Sequence, residues 1–200
     1  MTSEALLRIA LAVVIVVDLS LPRYFRRRYA VAHQRRDVST SRLLPERLLT
    51  IAIYAGLLAF VINPRWLAWS HVGLADGPRA LGVVLSIAGL AGLTWAFRHL
   101  GHNLMAGPGG REDYTLVTTG PYHWVRHPMY GFWTVLFLGY CLLTASWYVA
   151  VLTLAAVGAV VRRTPAEEAA LVARFGAAYH EYAEHTGRFI PRRLLVLHKR

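Results

Sequence analysis

Four apolar runs divide this chain, at about residues 5–21, 48–62, 80–97 and 130–161, and they leave it few ways to fold. A bilayer's hydrocarbon core is about 30 Å thick and takes about 17–25 helical residues to cross, so each run approaches or exceeds the length of a span. With 56% hydrophobic and 16% charged residues over a length of 200, the chain is too apolar for one water-soluble core. The last run, as a single helix, would measure about 48 Å at about 1.5 Å per residue, so it must turn back. Thr144, Ala145 and Ser146 mark the bend, being small or hydroxyl-bearing and followed by Trp147 and Tyr148, which suit an interface. The expected fold is an all-α integral membrane protein with five transmembrane helices at about 5–21, 48–62, 80–97, 130–143 and 147–161. The last two form a short helical hairpin, and a cytoplasmic C-terminal helix follows. No repeat or long linker divides the sequence, so 1–200 reads as a single membrane domain.

The net charge of +11 invites a nucleic-acid reading, which the distribution of the basic residues removes. Arginines crowd the segment 22–47 and the tail after Val161, whereas 63–79 holds only Arg65 and Arg79. With five spans, the first loop, the third loop and the tail share one side, and the positive-inside rule makes it cytoplasmic, with the N-terminus outside. Topology and attraction to membrane lipid headgroups account for the arginines, and no nucleic-acid partner is expected. Residues 1–21 are read as a span, because Glu4 spoils a positive signal-peptide start and no small-x-small cleavage site follows. Asp18, near the inner end of that span, is expected to snorkel to the interface or pair with the arginines beyond Pro22. The lone cysteine, Cys141, allows no internal disulfide.

Gly82, Ser86, Gly89 and Gly92 recur three or four apart in the third span and permit close approach of another helix. The stretch 63–79, including Gly77 and Pro78, reads as an outer loop. His99 and His102 stand three apart, but no third ligand joins them at a suitable spacing, so no metal is expected. The glycine-rich turn at 106–110 is no phosphate loop, since no strand precedes it.

Chemistry concentrates in 116–131, LVTTGPYHWVRHPMYG. Gly120-Pro121 is a turn signal, and His127-Pro128 forces the chain extended. Backbone amides in such a segment are expected to be free for a polar ligand. Tyr122, Trp124 and Tyr130 offer ring faces to a cation. The competing reading is an interfacial aromatic belt with Arg126 snorkelling to headgroups. Beyond the fifth span, Thr164 and Glu167 form a capping-box pattern and Pro165 suits a first helical position, so a new helix is expected there. Leu171, Val172, Phe175, Ala178, Tyr179 and Tyr182 give it one apolar face to about His185, and Gly187 and Pro191 close it.

Taken in order, LVTTGPYHWVRHPMYG, the hairpin, and EEAALVARFGAAYHEYAEHTGRFIP at 167–191 resemble the isoprenylcysteine carboxyl methyltransferase family, integral membrane enzymes that use S-adenosylmethionine. The resemblance covers roughly 100–191 and rests on GPY, RHPxYxG, EE and FGxxYxxY together; phospholipid methyltransferases look similar around RHPxY and EE. It implies that Tyr114, Thr115, Leu116, Val117, Tyr122, His127, Pro128, Met129 and Tyr130 line the S-adenosylmethionine pocket and that Glu167 also holds this cofactor. It implies too that Arg163, one turn before Glu167, binds and orients the carboxylate of a lipophilic, prenylated substrate entering from the bilayer. Two departures stand out: Tyr114 replaces a histidine often found there, and the turn near Gly107 replaces a polar cofactor contact. A carboxylate is already ionised at pH 7, so His127 is read as a cofactor contact rather than a general base. A phospholipid N-methyltransferase, an NADPH-dependent sterol-type reductase and a non-catalytic lipid-binding membrane protein are the alternatives.

Overall fold

The computed structural model describes residues 3–29, 44–104 and 114–192. The glycine-rich turn at 106–110 and the arginines Arg35, Arg36, Arg42 and Arg193 lie outside the described residues. Among the described residues six α-helices carry the fold: α1 Ser3–Arg28, α2 Leu44–Ile62, α3 Asp76–Leu100, α4 Pro128–Thr144, α5 Trp147–Phe175 and α6 Ala177–His185. Short 3-10 turns occupy Pro64–Ser70, Gly101–Leu104 and Gly120–His123. Among the described residues the only β-type pairings are two isolated bridges, His71 with Ser146 and Val125 with Gly187.

Four helical stretches, Ser3–Arg28, Leu44–Ile62, Asp76–Leu104 and Trp147–Phe175, are long and apolar enough to cross a membrane, and α4 is a shorter apolar helix of 17 residues. Their outward faces are greasy, with Val16, Ile51, Ile62 and Leu154 all more than 60% exposed. In water such a surface would drive association, whereas against acyl chains it costs nothing. Such helices, with apolar faces turned outward, are those of an integral membrane protein.

The tightest helix pair is α3 with α4, and the small-residue stripe is the reason. A Cβ on Gly89 would stand 2.7 Å from the Leu136 backbone nitrogen, and one on Gly82 would stand 2.7 Å from the Gly139 carbonyl oxygen. Only hydrogen fits at those positions, so the backbones meet directly, as small-xxx-small packing requires. The chain reverses where the hydroxyl-rich bend lies. Ala145 takes a left-handed conformation (φ 46°), and Ser146 caps α5 by accepting from the Val149 amide. The Ser146 hydroxyl also shares a 2.8 Å hydrogen bond with Ser70, which ties the hairpin to the 3-10 turn after α2.

Two local expectations fail. Gly77 and Pro78 belong to the first turn of α3 rather than to a loop, because proline is tolerated where a helix has no amide partner to lose. Asp18 neither snorkels nor meets the arginines; it is buried, and Tyr54 of α2 and Tyr140 of α4 both donate to its Oδ2, the latter at 2.9 Å. A lone acid inside the bundle is held by neighbouring hydroxyls, so reaching the interface brings no gain.

Candidate active site

The site is assembled where the α4 N-terminus, the middle of α5 and the segment after α6 meet. Gly120 (φ 61°) and Pro121 open the 3-10 turn that delivers the chain to α4. After it the backbone runs extended against the chain leaving α6: the Arg126 amide donates to Gly187 O at 2.8 Å, the His127 amide to Arg188 O at 3.1 Å, and the Gly187 amide to Trp124 O at 3.3 Å. The amides of Arg126 and His127, expected to be free for a ligand, are instead taken by this neighbouring strand-like segment.

The α5 helix also departs from its sequence reading. It runs without interruption through Pro165 to Phe175, and the Thr164 hydroxyl donates to Val160 O at 2.8 Å instead of capping a new helix. Propagating an existing helix needs no new nucleus, so the local capping signal loses. The break comes later at Gly176, whose φ of 53° suits glycine and separates α5 from α6. As a result Arg163 and Glu167 lie one turn apart on the same continuous helix.

Tyr130, from the first turns of α4, knots these two together. Its hydroxyl lies 2.7 Å from Glu167 Oε2 and 2.9 Å from Oε1, and Arg163 Nη2 donates to it at 2.7 Å. Arg163 Nε is 2.9 Å from Glu167 Oε1 but is not aligned to donate, and Arg163 Nη1 pairs with Glu46 at the start of α2. The guanidinium also sits 5.7 Å from the centre of the Tyr130 ring. Behind Tyr130, the His127 ring stacks at 5.5 Å and 7°.

His127 joins a second, closed cluster around Glu168. Arg126 Nε donates to Glu168 Oε1 at 2.8 Å, Arg188 Nη2 donates to Oε2 at 2.5 Å, and His127 Nε2 lies 3.2 Å from Oε1. Arg126 Nη1 further donates to the Ala183 and Thr186 carbonyls, so it locks α4's approach to the end of α6 instead of snorkelling. Burial lowers His127, against the pull of Glu167 and Glu168, so its imidazole is neutral at pH 7 and donates from Nε2.

The remaining predicted residues scatter around this core. Tyr114 stacks on Phe175 at 5.9 Å under the Arg174 guanidinium, 5.1 Å from the Tyr114 ring centre. Burial raises its hydroxyl, with Arg174 lowering it and Glu167 raising it. Thr115 is tied to Asn103, whose amide donates to Thr115 O at 2.8 Å. Val117 is half-buried nearby. Pro128 is buried in the first turn of α4, and Met129 packs on the hydrophobic core, so neither is brought to the Glu167 knot. Tyr122 is buried, and among the described residues its hydroxyl has no hydrogen-bond partner. Its carbonyl accepts from the Tyr182 hydroxyl at 2.6 Å. Leu116, with Thr118, Trp124, Glu181, Tyr182 and His185, lines an open cleft of about 690 Å³ against the end of α6. Among the described residues no group of three or more metal-ligating side chains occurs.

The sequence reading missed Glu46, Glu168, Arg188 and Tyr182. The doubled Glu167-Glu168 was visible, but which of the two faced a ligand depends on partners far away in the chain.

The sequence pattern of the phospholipid methyltransferase family matches residues 78–178, half of the chain. No curated protein matches it. A solved structure of the eukaryotic intramembrane Ras methyltransferase, isoprenylcysteine carboxyl methyltransferase, is similar at a TM-score of 0.53 and 22% identity, over 77% of this chain and 53% of that one. That likeness concerns the fold, and the chain spans about half the length of the matched structure.

Proposed function

The chain belongs to the phospholipid methyltransferase family, and from that premise we propose that it transfers a methyl group from S-adenosylmethionine to the carboxylate of a lipophilic acceptor of the isoprenylcysteine kind. The observation that carries this reading is the Arg163–Tyr130–Glu167 knot, which sets a guanidinium and a carboxylate on one tyrosine hydroxyl. One pole suits an anionic acceptor and the other a cationic donor.

The residues present fit the donor. Glu167 is about a third exposed and can face a positive group, Tyr122 offers a buried hydroxyl in need of a partner, and Leu116, Trp124 and Tyr182 line a cleft large enough for a nucleoside. Bound there, S-adenosylmethionine would supply a sulfonium methyl for transfer to the acceptor's carboxylate oxygen, giving a neutral thioether and an ester with no proton to move. Arg163 orients the acceptor oxygen and Tyr130 fixes Arg163, which is alignment rather than acid–base catalysis. Neutral His127 needs no catalytic role; it stacks behind Tyr130 and holds the ring.

In this reading α1 to α5 all cross the bilayer, α4 being the short one. The Arg163 end faces the cytoplasm and the N-terminus lies outside, in keeping with the arginines near the inner ends of α1 and α5. The substrate's lipid part then arrives through the membrane.

A phospholipid amine is the second reading. Two carboxylates, Glu46 and Glu167, surround the single guanidinium of Arg163, a balance that would also welcome a cationic headgroup. Methyl transfer to a farnesylcysteine derivative and to phosphatidylethanolamine, assayed side by side, separates the two. A base-labile methyl ester is the expected product. Methylated amine with no ester would sink the carboxylate reading.

A further inference from the structure

Among the described residues, Glu46 makes the contact to Arg163 that comes from outside α4 and α5. We propose that Glu46 sets the acceptor requirement of the site: its carboxylate occupies the edge of Arg163 where the acceptor's carboxylate pairs, and an acceptor must displace it. This rests on the carboxylate reading above.

The three nitrogens of Arg163 have unequal positions. Nε lies beside Glu167 on the same helix, and Nη2 is fixed to Tyr130 of α4, so both belong to the frame of the site. Nη1 is the exception, held by a residue 117 positions away in the sequence, on the first turn of α2. A guanidinium recognises a carboxylate through parallel N–H groups, and a carboxylate is what Glu46 already presents there. Glu46 is a built-in analogue of the acceptor's reacting group.

Exchange is physically cheap. The two side chains are 28% and 24% exposed, so the pair is reachable and partly screened by solvent. Once displaced, Glu46 keeps the favourable field of the α2 N-terminus, where an acidic side chain is stabilised with or without Arg163. A neutral lipid, by contrast, offers Arg163 no replacement for the charge it would lose. Glu46 thus admits carboxylates and resists uncharged acceptors.

The test uses the full chain in lipid nanodiscs, with S-adenosylmethionine and a farnesylcysteine derivative as the acceptor probe. For Glu46→Gln, KM for the carboxylate should fall about threefold to tenfold, the scale of one partly exposed ion pair, while kcat and donor affinity stay within about twofold. Glu46→Ala should shift KM the same way, and thermal melts report whether either variant is folded. An unchanged or raised KM in folded protein overturns the role of Glu46 alone. A wild-type chain that methylates no carboxylate overturns the underlying reading as well.

Discussion

Glu167 and Glu168 are neighbours on one helix, about 100° apart around its axis, and the fold treats them oppositely. Glu168 turns inward, 12% exposed, to Arg126, Arg188 and His127, which between them use both its oxygens. Glu167 is 31% exposed and meets a tyrosine hydroxyl and one misaligned arginine nitrogen. The first is a lock joining α5 to the ends of α4 and α6. The second has spare capacity, as a ligand-binding carboxylate needs. Identical side chains acquire structural and functional roles from their partners alone.

Substitutions at the two positions should therefore separate stability from binding. The largest effect is expected for Glu168→Ala, which strands a half-buried Arg126: a loss of about 3 kcal/mol, seen as a lower unfolding temperature in detergent. Glu167→Gln should leave the melt within about 1 kcal/mol but weaken S-adenosylmethionine binding by tenfold or more, about 1.5 kcal/mol or above for a charged hydrogen bond. If both variants lose stability equally and neither changes affinity, the distinction collapses. Arg163→Lys keeps the charge but loses the planar fork, so kcat should fall by about tenfold with the donor still bound. A normal rate would remove Arg163 from the site.

The smallest effect is one of pH. His127 is lowered from 6.5 by burial, so its neutral form stabilises the fold above pH 6.5 and the benefit fades as pH falls below that value. A pH series of melts should show a shallow decline below 6.5, and His127→Gln should flatten it.

The same contrast explains what could be read from the sequence. The apolar runs, the reversal at 144–146 and the glycine stripe of α3 are local patterns that fix helices and one close contact, and the structure has them. Arg163 and Glu167 were named by the family resemblance, whereas the local capping signal at Thr164 set a helix start between them. Arg126 was not legible: its partners Glu168 and Thr186 lie 42 and 60 positions away, and no periodicity announces such a pair. Thr164-Pro165 misled because a capping box describes a helix that starts, and here one was already running. Proline there sacrifices only the bond to the Val161 carbonyl, on a residue 47% exposed. Asp18 failed for the reason Glu168 did, since Tyr54 and Tyr140 come from other helices.

The central claim is that Glu167, beside Tyr130 and Arg163, holds the methyl donor. Calorimetric titration of the purified full chain with S-adenosylmethionine and, separately, with NADPH tests it most directly. Saturable binding of S-adenosylmethionine that weakens in Glu167→Gln, with no binding of NADPH, is the predicted result; NADPH binding without S-adenosylmethionine binding would contradict it.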